Sequence, residues 1–160
     1  YIKEVCLPRL QAGFEKAGRS GDNFKLILGP LTATGVSEEA VAREWEKQRN
    51  MLGFLYSTPP YWPSLELFGW QDKGQQLQDL TRADAGGAMR DIMTDEMLEE
   101  FVPRGTYDTI AQTYNDSYSG LTSRITFRIP NEPAHTAAAS CCLRSPACRE
   151  YRSGRFTCKP

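Results

Sequence analysis

His135 is the only histidine in the chain, and it lies close to four of the five cysteines, Cys141, Cys142, Cys148 and Cys158. Imidazole and thiolate together are zinc chemistry, but a tetrahedral site is held by paired C-x₂-C hairpins. Here two adjacent cysteines are followed by gaps of five and nine residues, so no metal site is expected. Without a second histidine nearer the centre, neither a Ser–His–Asp nor a Cys–His relay can be assembled there. The acidic pairs Asp95–Glu96 and Glu99–Glu100 suit the exposed face of a helix rather than paired-carboxylate catalysis. No G-x-G-x-x-G occurs, and Gly69 beside Trp70 reads as a turn. Ser37 followed by Glu38 and Glu39 opens a helix; its N–H groups would attract an anion, yet the two carboxylates would repel a phosphate, so capping is the expected role. Tyr56, Tyr61, Trp62, Phe68 and Trp70 have the surface to wall a pocket over a flat ring, or to bury helices against one another.

These residues need elements to hold them. Ile2, Cys6, Leu10 and Phe14, with Val5 beside them, predict a first helix with one buried face, bent by Pro8 and stopped at Gly18. Residues 24–34, "FKLILGPLTAT", read as a strand buried on both faces, although Pro30 cannot donate to a ladder. Val41, Trp45, Leu52 and Tyr56 form the inner stripe of a long helix that ends at "STPPYWP". Irregular helices follow from 64 to 102, with Thr94 as an N-cap and Gly86–Gly87 as a break. A last helix is expected from Thr106 to Gly120, and then "SRITFRIP" alternates as a strand. The expected whole is mostly helical with two strands, parallel and adjacent, and these should be the two longest.

The chain has 160 residues, 40% hydrophobic and 24% charged, with a net charge of −1. That allows one real core and provides no global field toward nucleic acid or anionic membrane. No apolar run is long enough for a membrane span. The cysteines are spread too unevenly for a stapled secreted domain, and no charged-then-apolar leader opens the chain, so a cytoplasmic protein with reduced thiols is expected. The opening Tyr1, already helical in pattern, reads as a chain cut from something longer. Residues 131–160 are poor in large apolar groups and rich in arginine, which predicts a divergent, disordered tail of free thiols. A helical interaction module with a basic, cysteine-bearing tail is the non-enzymatic alternative.

Four stretches in order, "LPRLQAGFEKAGRS…FKLILGPLTATGVSEEAVARE", "FLYSTPPYWPSLELFGW", "MTDEMLEEFVPRGTYDTIAQTY" and "SGLTSRITFRIP", resemble the C-terminal part of luciferase-like oxidoreductases. Within that superfamily the chain is similar to the type that uses the deazaflavin F-420. Gly105-Thr106-Tyr107-Asp108-Thr109-Ile110 keeps the family's glycine, cap and apolar anchor, but lacks its proline and second glutamate. The resemblance implies an α/β fold: residues 1–130 as the C-terminal fragment of a (β/α) TIM-type barrel, with a helical insertion at about 57–105. It also implies F-420 or FMN as cofactor, hydride transfer or monooxygenation, and a small organic substrate. Nothing past Pro130 resembles the family. Barrel sites lie at the C-terminal ends of the strands. Thr32 and Thr34, with Trp62 and Trp70, are therefore the pocket-lining candidates; Ile129 and Pro130 are the corresponding strand-end positions after the last strand. No residue is expected to be catalytic, the fragment alone is expected to be inactive, and its open edges predict self-association.

Overall fold

The structure, a computed structural model, describes residues 1–127 together with the backbone of 148–152 and 155–158. The chain enters through a π-helical turn, Ile2–Cys6, that passes into α1, Leu7–Ala17. Pro8 is the second residue of α1, directly after the π-helical turn, and the chain stays helical through it. Gly18 ends α1 in the left-handed conformation at φ 60°, as expected of a glycine stop. The buried face expected of this segment is only half-buried. Phe14 meets Phe24 edge-on, with 5.3 Å between ring centroids.

The long strand expected over 24–34 is not there. It divides into β1, Ile27–Leu28, and β2, Ala33–Gly35, because Pro30 interrupts the ladder and the Thr32 hydroxyl donates back to the Pro30 carbonyl at 3.1 Å. Nor is β1 buried on both faces, since Ile27 is 54% exposed. The parallel pairing with the last strand is as expected: β1 lies against β4, Arg124–Phe127, with Ile27 opposite Arg124 and Leu28 opposite Ile125. These are not the two longest strands, however. β1 has two residues and β4 four, whereas β5, Cys148–Arg152, has five.

A second parallel pair was not anticipated. β2 lies against β3, Arg104–Thr106, with Thr34 opposite Gly105. The expected helix start at Thr106 is thus strand, and the last helix, α7, runs Ile110–Tyr118. Gly105 gives a close approach here, since a Cβ would come within 2.6 Å of the Thr109 hydroxyl.

Between the pairs the chain is helical, as its patterns predict. α2, Glu38–Tyr56, is capped by Ser37, whose Oγ accepts from the Ala40 N–H at 3.3 Å, and it buries Val41, Trp45, Leu52 and Tyr56. The short helices α3 (Trp62–Glu66), α4 (Gln71–Arg82), α5 (Met89–Ile92) and α6 (Asp95–Phe101) pack beneath it. Thr94 caps α6 by accepting from Met97 N–H at 3.3 Å. Two clusters result. Ala33, α2 and the short helices form the larger; Tyr107, Ile110, Tyr114, Ile125 and Phe127 form the smaller, between α7 and β4.

Of the tail, two segments are described, both as strands. β6, Arg155–Cys158, pairs antiparallel with both β4 and β5, giving the order β1-β4-β6-β5. The rest of 131–160, including His135, Cys141 and Cys142, lies outside the described residues, as do Ile129 and Pro130.

Candidate functional site

In parallel α/β sheets, ligands gather where the strands end and the following helices begin. Here that place is the end of β2 at Gly35, the end of β3 at Thr106, and the first turn of α2. Gly35 lies so close to α2 that a Cβ would sit 2.5 Å from Ala40 Cβ. The Gly35 carbonyl accepts from Tyr107 N–H at 3.0 Å, tying the two strand ends together. Ser37 is already engaged as a cap, and its hydroxyl, followed by the local backbone N–H, holds the Glu39 carboxyl below its ordinary value. Glu38 and Glu39 therefore already occupy the positive end of the helix dipole.

Thr32 and Thr34 differ sharply. The Thr32 hydroxyl lies 2.6 Å from the Tyr114 hydroxyl of α7, and its carbonyl is 3.5 Å from Gln48 Nε2. Thr34 is 9% exposed, and its hydroxyl has no hydrogen-bond partner among the described residues. The Gln48 side-chain oxygen is buried and unpartnered in the same sense. An unmet buried hydroxyl is costly, which makes Thr34 the position where a further polar partner would gain most.

Trp62 and Trp70 lie elsewhere, in the helical layer against the larger cluster. Trp62 Nε1–H donates to the Tyr56 carbonyl at 2.8 Å, and the ring covers Gly74. Trp70 stacks on Phe68 at 4.7 Å, and Phe101 meets both edge-on. The structure brings the two tryptophans together with the core, not with the two threonines.

Sequence reading missed a polar network centred on Arg49. Arg49 is 7% exposed; it donates to the Met93 carbonyl, pairs with Asp95 and bonds Glu46 at 3.2 Å. Burial works against its charge, but Asp95 and Glu46 outweigh it and hold the guanidinium above its ordinary value. Trp45 Nε1–H donates to Asp95 at 3.1 Å, and this bond, followed by Arg49, holds the Asp95 carboxyl low. Arg104 lies 4.8 Å over the Trp45 ring and bonds Glu99 at 3.2 Å. The signal was an arginine four residues after Trp45, within an otherwise apolar stripe.

A cavity of about 450 Å³ opens beside this network, lined by Glu38, Val41, Ala42, Trp45, Arg104 and Gly105. A larger one, about 610 Å³, lies between α1 and the entry of β4, lined by Leu7, Phe14, Phe24, Leu26, Leu121 and Thr122 among others. It stands at the N-terminal ends of β1 and β4, opposite to where barrel chemistry takes place. Thr32, Thr34, Trp62 and Trp70 line neither. Among the described residues no group of three metal-ligating side chains converges. The phosphate of a flavin or deazaflavin does not fit the described strand ends, where two glutamates hold the helix N-terminus and Gly35 and Gly105 are closed over by neighbouring side chains.

Parallel strands joined by helical crossovers define an α/β protein. The model for luciferase-like monooxygenases matches residues 1–124, and the chain belongs to that family. Its relatives include uncharacterized proteins of Mycobacterium bovis and of two strains of Mycobacterium tuberculosis. Each is 30% identical over 152 residues, 95% of this chain and 43% of the relative. The chain thus spans about two fifths of the length of these curated relatives. A match over 152 of 160 residues must reach at least residue 152, so the relatives resemble the chain well past Pro130, contrary to expectation. No solved structure matches.

Proposed function

We propose that the chain is the C-terminal portion of a luciferase-like oxidoreductase that uses F-420 or FMN in hydride transfer or monooxygenation of a small organic substrate. The observation that carries the reading is the family match over residues 1–124, read with a share of only 43% of the relatives' length. In this family chemistry the bound cofactor supplies the redox step, and the protein orients ring and substrate. This chain would contribute two parallel strand pairs, β1–β4 and β2–β3, and the helical layer; no residue in it is assigned a catalytic role. Of the pocket-lining candidates, Thr34 has the strongest support, because its buried hydroxyl lacks a partner. Thr32, Trp62 and Trp70 would act behind it, holding the sheet and the helical wall.

The chain alone is proposed to be inactive, cytoplasmic and prone to self-association, with neither nucleic acid nor membrane as a partner. The net charge of −1 supports the last point, providing no global field toward nucleic acid or anionic membrane, and among the described residues no helix is long and apolar enough to cross a membrane. Titration with FMN and with F-420, run on this chain and on the whole mycobacterial relative, tests the reading. The relative is expected to bind one of the two, and this chain neither. Micromolar binding by the chain alone would show a complete site within it; binding of neither cofactor by the relative would overturn the cofactor assignment.

A further inference from the structure

α1 carries an apolar stripe that no other described element covers. Lys3, in the π-helical turn, is followed at helical spacing by Leu7, Leu10 and Phe14, and all four line the cavity of about 610 Å³ beside the entry of β4. Leu26, just before β1, and Leu121, just after α7, belong to the same lining. No residue of α1 is buried, so these side chains stand around the space without filling it. Lys3 and Phe14 are separated by roughly 16 Å of helix, which makes the space long. Its volume is that of a small-molecule site, for which about 300–1,000 Å³ is usual.

The polar groups of this lining are mostly engaged. The Thr122 hydroxyl lies 2.8 Å from both the Leu26 and the Arg124 carbonyls, and Gln11 donates to Glu15 at 2.9 Å. Lys3 is different. It is the one charged side chain in the lining, it is exposed, and among the described residues it has no ion-pair partner. We propose that this cavity binds an amphiphilic monocarboxylate, its alkyl chain along Leu7, Leu10 and Phe14 and its head at Lys3. A wholly apolar guest would leave Lys3 unpaired, a cationic one would meet it with like charge, and a polyanion would find a single cation. The alkyl chain removes apolar surface of guest and protein from water, while the carboxylate stays at the exposed Lys3 and keeps part of its hydration. The site lies at the N-terminal ends of β1 and β4 and does not depend on the cofactor reading.

Isothermal titration calorimetry of the whole chain with decanoate, below its micellar range, tests the proposal, with decanol and decylammonium as neutral and cationic counterparts. One decanoate per chain is expected, bound more tightly than either counterpart. Lys3→Gln, at an exposed position, should weaken decanoate about fivefold, the worth of one exposed ion pair, and leave decanol unchanged. Leu10→Trp should fill the space and weaken both, with the helical circular dichroism signal retained. Equal affinity for all three probes, no saturable heat, or decanoate binding indifferent to Lys3→Gln would each overturn the proposal. So would binding that disappears as chain concentration rises, since a second copy would then occupy the cavity.

Discussion

Arg49 sits where the spacing of Val41, Trp45, Leu52 and Tyr56 requires hydrocarbon, and it is tolerated because every direction of its guanidinium meets an acceptor. Replacing it removes those bonds and leaves the Met93 carbonyl inside without a donor. We expect Arg49→Met to lower stability by about 2–4 kcal/mol, measured as a shift of the urea midpoint at neutral pH. An unchanged midpoint would mean that the network is ornamental. Asp95 gives the pH dependence. Its carboxyl titrates below the ordinary 3.8 when folded, first through Trp45 and then through Arg49. Its stabilisation is thus complete above that ordinary value and is lost as pH falls through it toward the depressed folded value. Because the Asp95 side chain is 70% exposed, solvent screening limits the loss to below roughly 1 kcal/mol. The urea midpoint should therefore fall as pH drops below about 4, and Asp95→Asn should flatten that part of the profile.

At the level of elements, the helices are held by close approaches that a single methyl group would spoil. Gly74 of α4 lies under Trp62, and an added Cβ would come 2.6 Å from the indole nitrogen that donates to the Tyr56 carbonyl. Gly74→Ala must therefore push α4 away from α3 or turn the indole out of its bond. We expect a loss of roughly 1–3 kcal/mol and a changed near-ultraviolet circular dichroism signal, whereas alanine at the open Gly13 of α1 should leave the signal unaltered and raise stability by roughly 0.5–1 kcal/mol. The element boundaries were legible wherever a local cause sets them. Ser37 and Thr94 cap as their side-chain chemistry predicts, and Gly18 stops α1. β3 was invisible because Arg104, Gly105 and Thr106 have no apolar alternation; they form a strand only through β2.

At the scale of the molecule, the described residues leave β1 at the end of its sheet, with Ile27 54% exposed and Phe24 45% exposed. An open strand edge with apolar flanks invites pairing with another chain. The hairpin occupies only the far side of β4. Static light scattering should therefore report association of the wild-type chain, reduced by Ile27→Lys because a lysine at an edge resists pairing. Equal scattering from both proteins would place the association elsewhere.

What the sequence determined without help is what neighbouring residues impose on one another. Capping hydroxyls, the stripe of α2 and the alternation of Ile125 and Phe127 all act within a few positions, and the run of motifs carried the family. The tertiary structure alone decided the rest. The Thr32 hydroxyl meets Tyr114, 82 residues away, and Thr34 lies opposite Gly105. The threonines of the sheet and the tryptophans of the helical layer came to lie in separate places, although both read as pocket residues. Such pairings depend on which segments meet after the core closes, and the residue types at one end do not encode the partner at the other.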